Sequence, residues 1–439
     1  MNSACYSVSK VLAMSKTDSS LVTAEKPRGF VDRLGDLASA EERVVGAVGK
    51  VYEKWGFERL DTPAIEFTEA LGKFLPDLDR PNEGVFSFLD DERWLSLRYD
   101  LTAPLARYAA EERQNLPKPF RRWQTGTVWR NEKPGPGRYR QFTQFDIEAI
   151  GDSGPGIDLE VIELGAAYLR DLGLIDVQVH LNSVGCTTCR PAYVETLRAH
   201  FTPVVQELSE VDQSRLATNP LRLLDSKEPA TVKRAASAPA ITDHLCADCA
   251  AHHAAVTTGL ATIGVAVAPA PRLVRGLDYY TRTAWEYLLP GEQGQQGALG
   301  GGGRYDGLVE LLGGTPTPGI GFAIGIDRVV LALEARGLLP TAAAGPTIVV
   351  AGIEPESVAE RVAIAGQLRA AGVSARADVS TRKIGKQLEG AVRDGALAVI
   401  IVEPDGHLTL RDLVKASQAD PAERGGVIAA ALQLVKNEG

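Results

Sequence analysis

The period of the hydrophobic positions changes several times along the chain, and each change predicts an element. In "SAEERVVGAVGKVYEKWG" (39–56) apolar residues recur at helical spacing. Ser39 and Glu42 have the form of a capping box, so a helix starting at Ser39 is expected. "FERLDTPAIEF" runs on as an extended segment because Pro63 cannot occupy a helix interior. "WLSLRYDLTAPLARYAAEE" begins as a strand and becomes a helix near Pro104. Between about 120 and 150, two strand-like runs flank the loop Lys133, Pro134, Gly135, Pro136, Gly137, which predicts a hairpin. "DLEVIELGAAYLRDLG" predicts a helix ending at Gly173, and "DVQVHLN" a strand.

From about 190 to 262 helix formers dominate, with "RPAYVETLRAHFTPVVQEL" as the clearest helix, so a helical insertion is expected there. Strand patterns return at "RLVRGLDYYTRTAWEYLL", and "PGIGFAIGIDRVVLALEARG" reads as a strand running into a helix. "LLPTAAAGP" (338–346) is a linker of small residues and prolines. Beyond it, strand and helix alternate in a βαβ-type pattern.

Composition narrows the setting. At 439 residues the chain exceeds one ordinary core. Hydrophobic residues at 44% and charged residues at 23% are those of a soluble globular protein, and no apolar run is long enough for a membrane span. Residues 1–27 are mixed and polar, without the apolar stretch of a signal peptide, and are expected to be a disordered leader. Five cysteines in so long a chain do not make a secreted disulfide scaffold, so a reducing, cytoplasmic setting is expected. The net charge of -9 does not exclude a nucleic-acid partner, because binding needs a local basic surface rather than a basic total.

The polar residues of the hairpin "TVWRNEKPGPGRYRQFTQFDIE" carry the first chemistry. Arg130 and Arg138 could converge over one sheet face with their guanidinium forks toward a polyphosphate. Gln144 and Glu148, four apart on one strand, point to the same face. Asp100 and Thr102 in "LSLRYDLTAP" fall on one face of a strand end and could hold an ammonium group. Tyr279 and Tyr280 would point to opposite strand faces, one to the core and one to a pocket. "GGGGRYDGL" lets backbone approach a ligand closely. In "PGIGFAIGIDR" the glycines Gly319, Gly321 and Gly325 are wrongly spaced for a dinucleotide loop, while Arg328 at the start of the next helix could meet a phosphate.

Together these segments resemble a known family. The hairpin resembles motif 2 of class II aminoacyl-tRNA synthetases, "GFERLDTPAIE" motif 1 and "GIGFAIGIDR" motif 3. "RGLDYYTRTAWE" and "GGGGRYDGL" are similar to the two signatures of histidyl-tRNA synthetases. The resemblance runs from about Arg28 to the C-terminus. It implies an α+β fold: a class II catalytic core over 28–337, an antiparallel sheet flanked by helices, with the insertion at about 190–262. The linker 338–346 and an α/β anticodon-binding domain over 347–439 would follow. It implies a ligase that joins L-histidine to tRNA(His), with ATP as substrate accompanied by Mg2+, and a homodimer. Arg130, Arg275 and Arg328 would be catalytic. Glu132 and Arg138 would complete the ATP site with those three. Asp100, Thr102, Gln144, Glu148, Tyr279 and Tyr280 would bind histidine, with Glu148 and Tyr280 facing the imidazole.

Two alternatives stay open in the sequence: the synthetase-like regulatory subunit of ATP phosphoribosyltransferase, and an RNA-binding or structural protein that has lost catalysis. Both lose ground to the C-terminal region and the intact arginine set. Cys186, Cys189, Cys246 and Cys249 form two C-x-x-C pairs near the entry and exit of the insertion. They read either as the ligands of a structural zinc ion remote from the substrates or as four ordinary buried thiols, and their spacing does not decide.

Overall fold

A computed structural model of the chain describes residues 24–72, 84–112, 115–135, 137–274, 279–291, 297–339 and 347–438. Most of the expected leader, most of the linker, and Arg275 lie outside these residues. The chain divides into two compact units, one comprising Met1–Leu34 and Glu41–Leu339, the other Gly35–Ala40 and Pro340–Gly439.

The elements begin with α1 (Asp36–Lys54), which belongs to the first unit from Glu41 onward, followed by β1 (Glu58–Arg59), β2 (Ile65–Phe67) and the short α2 (Thr68–Gly72). The hairpin β3 (Ser87–Asp90) and β4 (Arg93–Leu97) leads to α3 (Thr102–Glu112). The long hairpin β5 (Phe120–Trp129) and β6 (Gln141–Ile150) follows, then α4 (Pro155–Asp171) and β7 (Gln178–Ser183). Next come the helices α5 (Arg190–Phe201), α6 (Glu210–Thr218), α7 (Pro229–Ala235) and α8 (Ala247–Thr262). The unit ends with β8 (Val267–Pro269), β9 (Thr281–Leu288), β10 (Gly300–Arg304), α9 (Leu308–Leu311), β11 (Gly319–Gly325) and α10 (Ile326–Ala335). Eight strands form one sheet in the order β1-β5-β6-β11-β10-β9-β7-β8, antiparallel except for the outer pairs β1/β5 and β7/β8. β2, β4 and β3 form a separate small sheet.

The alternation along β6 explains the layering. Phe145, Ile147 and Ala149 are fully buried on one face. There the Phe145 ring meets Tyr168 of α4 at 4.5 Å and Tyr52 of α1 at 5.5 Å. Gln144, Asp146 and Glu148 take the other face and are buried as well. A strand hydrophobic on one side and polar on the other is normally half exposed; here both sides are covered, so the polar side has a reason other than solvation.

Helices α5 to α7 gather around a core of their own, with Tyr193, Leu197, Phe201, Leu208 and Leu223. Helix α8 is tied to the sheet by His252, which contacts Asp158 of α4 at 3.0 Å; Asp158 also accepts from the fully buried Arg304 of β10. The second unit contains β12 (Ile348–Gly352), α11 (Val358–Ala370), β13 (Ala375–Ala377), α12 (Ile384–Arg393), β14 (Ala398–Val402), β15 (Leu408–Asp412), β16 (Ser417–Gln418) and α13 (Arg424–Glu438). Its sheet runs β13-β12-β14-β15-β16, parallel at first and antiparallel after β14. Among the described residues no helix is long and apolar enough to cross a membrane.

Three local expectations are corrected. The first helix starts at Asp36, so Ser39 lies inside it with its N–H bonded to Gly35 O rather than capping. "RPAYVETLRAHFTPVVQEL" is not one helix: the α-helix stops at Phe201 and a 3-10 turn, Thr202–Glu207, continues. Pro203 has no N–H to carry the α pattern through. Tyr279 and Tyr280 do not diverge across a strand. β9 begins after them, and their rings pack together at 4.7 Å, both buried.

Candidate active site

The polar face of the large sheet is floored by strands that carry almost no side chains. Gln144, Asp146 and Glu148 of β6 stand opposite Gly325, Ala323 and Gly321 of β11. Gly321 stands in turn opposite Gly303 of β10, and Ala323 opposite Gly301. The glycines make room. A Cβ on Gly321 would lie 1.7 Å from Glu148 Oε2, and one on Gly303 2.5 Å from the Tyr280 ring. The result is a shallow floor with acids along one edge.

Glu148 is fully buried. Its Oε2 accepts from the Tyr305 hydroxyl, and the Thr102 hydroxyl bonds the same carboxyl. Burial pushes this carboxyl up to about 8 despite those two donors. Asp100 caps α3 by accepting from Ala103 N at 3.1 Å, and Tyr279 Oη reaches its other oxygen at 3.4 Å. Burial raises Asp100 to about 6, against the pull of the Ala103 N–H and the Arg130 charge. Asp146 stands two residues before Glu148 on the same face of β6. Burial raises it well above the usual carboxylate range, with the charges of Glu148 and Asp100 adding to the effect.

Among the described residues, neither oxygen of Asp146 has a hydrogen-bond partner, and the same holds for Glu148 Oε1 and Gln144 Oε1. Orphaned buried acceptors are costly, on the order of 1–3 kcal/mol each, and fold stability gives no reason for so many on one face. A ligand that brings N–H donors and positive charge would satisfy them together.

The cations stand beside this row. Arg130 Nε donates to Tyr99 O at 3.1 Å, and its guanidinium lies 5.0 Å from the centre of the Phe142 ring. Arg98 donates to Thr127 O and Thr62 O, which holds it across Gly126. Arg138 is half exposed in the β5–β6 loop and is paired with Glu132. Arg328 Nη1 donates to Ala298 O at 2.6 Å. Its helix, α10, is fastened by the residue before it: Asp327 accepts from Arg33, and Arg33 also pairs with Glu41 at 2.7 Å.

The structure thus gathers Asp100, Thr102, Gln144, Glu148, Tyr279 and Arg130 around one face. Tyr280 is adjacent, and the tyrosine bonded to Glu148 is Tyr305. Sequence reading assigned no role to Asp146, Arg98 or Tyr305. Asp146 shares the two-residue period of Gln144 and Glu148, and that signal was sufficient to find it. Tyr305 reaches Glu148 only through the pairing of β10 with β11 and β11 with β6, which no local pattern contains.

The four cysteines also converge. Cys186 Sγ is 3.7 Å from Cys189 Sγ and 3.8 Å from Cys246 Sγ, and all four sulfurs lie within 4.8 Å of one another.

An antiparallel sheet backed by helices, with a long hairpin that carries arginines to the edge of a buried acidic floor, is the catalytic core of a class II aminoacyl-tRNA synthetase. The sequence profile described as Histidyl-tRNA synthetase matches residues 29–329. A histidine–tRNA ligase of Moorella thermoacetica is 40% identical, over 90% of this chain and 95% of its own length. One of Caulobacter vibrioides is 38% identical, over 89% of each chain. The crystal structure of apo histidyl-tRNA synthetase from S. aureus superposes with a TM-score of 0.73 at 29% identity, covering 92% of this chain and 99% of that one. The chain belongs to the histidyl-tRNA synthetase family.

Proposed function

We propose that the protein attaches L-histidine to tRNA(His) in two steps, an ATP-dependent formation of histidyl-adenylate and a transfer to the 3′ end of the tRNA. The observation that carries this reading is the row of buried acceptors Gln144, Asp146 and Glu148 beside Asp100, set against the Arg130 side of the sheet. Histidine offers an ammonium and an imidazole to one side of such a site and a carboxylate to the other. The ammonium is assigned to Asp100, Thr102 and Gln144, with Tyr279 holding Asp100 in place. The imidazole is assigned to Glu148, with Tyr305 orienting that carboxyl and Tyr280 walling the pocket.

In adenylation the histidine carboxylate attacks the α-phosphorus of ATP, pyrophosphate leaves, and negative charge peaks in between. Arg130, fixed by Tyr99 O, is assigned to the α-phosphate, because a preorganised guanidinium stabilises that charge without rearranging. Arg328 and Arg138 are assigned to the β- and γ-phosphates, which requires Arg138 to exchange Glu132 for phosphate. Arg275 is assigned beside the α-phosphate on motif resemblance alone. Mg2+ would accompany the phosphates and neutralise part of their charge, with Glu132 as an oxygen donor on that side. The second unit is read as the anticodon-binding domain.

A homodimer is supported by the small sheet. Ile65, Phe67 and Phe88 share one of its faces and are 43%, 39% and 42% exposed, a patch that a second copy of the chain would cover. The regulatory-subunit alternative is not favoured, since relatives covering 89–90% of this chain carry the name histidine–tRNA ligase. The test is ATP–pyrophosphate exchange with each amino acid in turn: exchange that depends on histidine supports the reading, and its absence removes it.

A further inference from the structure

The tRNA-charging chemistry makes no use of the four cysteines, yet their arrangement is specific. Ordinary packing of buried thiols gives no reason for four sulfurs from two segments 56 residues apart to gather within 4.8 Å. A disulfide would bring one pair to about 2.0 Å, far inside the 3.7 and 3.8 Å observed. Four thiolates bound at about 2.3 Å around a tetrahedral zinc ion stand roughly 3.8 Å apart along each edge; the Cys186–Cys189 and Cys186–Cys246 separations match that, and the remaining ones stay within 4.8 Å.

The surroundings also suit negative sulfur. Cys186 N donates to Cys189 Sγ at 3.2 Å, and Thr188 N donates to Cys186 Sγ at 3.4 Å. Cys189 is the N-cap residue of α5, Cys246 is the N-cap residue of α8, and Cys249 sits in the first turn of α8. Two helix N-termini therefore bring partial positive charge to the cluster. An all-thiolate tetrahedral set is soft and takes zinc or iron in preference to magnesium or calcium.

We infer that Cys186, Cys189, Cys246 and Cys249 bind one structural Zn2+ that joins the first and last helices of the insertion at their base. The site is not isolated from the substrate pocket. Arg190, next to Cys189, donates to the carbonyls of Val184, Gly185 and Tyr280. The metal knuckle thereby fixes the residue that grips the backbone at Tyr280, a closer link than the remote placement expected from sequence.

The test is metal analysis of the full chain, purified in reducing buffer without chelator. About one equivalent of zinc per chain is expected in the wild type, and less than about a tenth in the double variant Cys246→Ser/Cys249→Ser. Should that variant fail to fold, the wild-type chain carries the test: stripped of metal, reduced and given Co2+, it should show thiolate-to-cobalt charge-transfer absorption and the intense visible bands of a tetrahedral site. Three results would each overturn the proposal: iron in place of zinc; zinc retained in a folded double variant; or a wild-type chain without zinc that also gives no such cobalt spectrum.

Discussion

Glu148 carries its proton at neutral pH because burial has pushed it up to about 8, and Asp100 follows at about 6. Both native values lie above the ordinary carboxylate range of about 4. The stability each group contributes is therefore full below about 4 and is lost as pH rises, through about 6 for Asp100 and about 8 for Glu148. Histidine bound as proposed would supply donors to the charged forms and offset that loss. The rise in Tm on saturation with L-histidine should thus be larger at a pH of about 8 than at about 6, and Glu148→Gln should flatten the difference and raise the KM for histidine at least about tenfold. Equal shifts at both pH values in the wild type would contradict the assignment. Gly321→Ala should abolish histidine binding, measured by calorimetry, since the added methyl meets Glu148 Oε2 and, at 2.3 Å, Ile147 O. At this scale the sequence was most legible where a local period carries the information. Gln144 and Glu148 fell to one face as their spacing requires, and Asp146 with them. Tyr305 did not, because its contact crosses three strands.

Elements were legible in kind and less so at their ends. The hairpin and the strand running into α10 followed from alternation and from turn residues, whereas the strand Gly300–Arg304 did not, because glycines carry no side chains that could alternate. The helix break at Pro203 was readable from the missing N–H alone, and the helix formers on both sides of it hid the signal. The tie that holds α10, Arg33 to Asp327, joins residues 294 positions apart and has no trace in any local window. The link from α5 to the pocket is of the same kind and makes a prediction. Arg190→Ala should raise the KM for histidine in pyrophosphate exchange at least about fivefold while the KM for ATP stays within about twofold, because the Tyr280 backbone, with those of Val184 and Gly185, loses its anchor. Arg190→Lys should recover part of the loss. A change confined to kcat, or an equal rise in both KM values, would show that Arg190 does not act through the histidine pocket.

For the whole molecule, net charge and partner point in opposite directions. The chain carries -9, yet its substrate would be a polyanion. A tRNA docked on a local basic strip releases counterions whatever the remote acidic surface does, so its Kd should rise steeply between low and moderate salt; a flat response would argue against docking of that kind. Arg130→Ala should lower histidine-dependent exchange by about a hundredfold with the fold intact, as expected when one preorganised charge is withdrawn from a transition state. Both predictions presuppose the substrates. Those are tested most directly by aminoacylation of total tRNA with each amino acid in turn. The account predicts that histidine alone is attached and that the acceptor recovered is tRNA(His). Charging with a different amino acid, or no charging by a folded protein supplied with ATP and Mg2+, would contradict it.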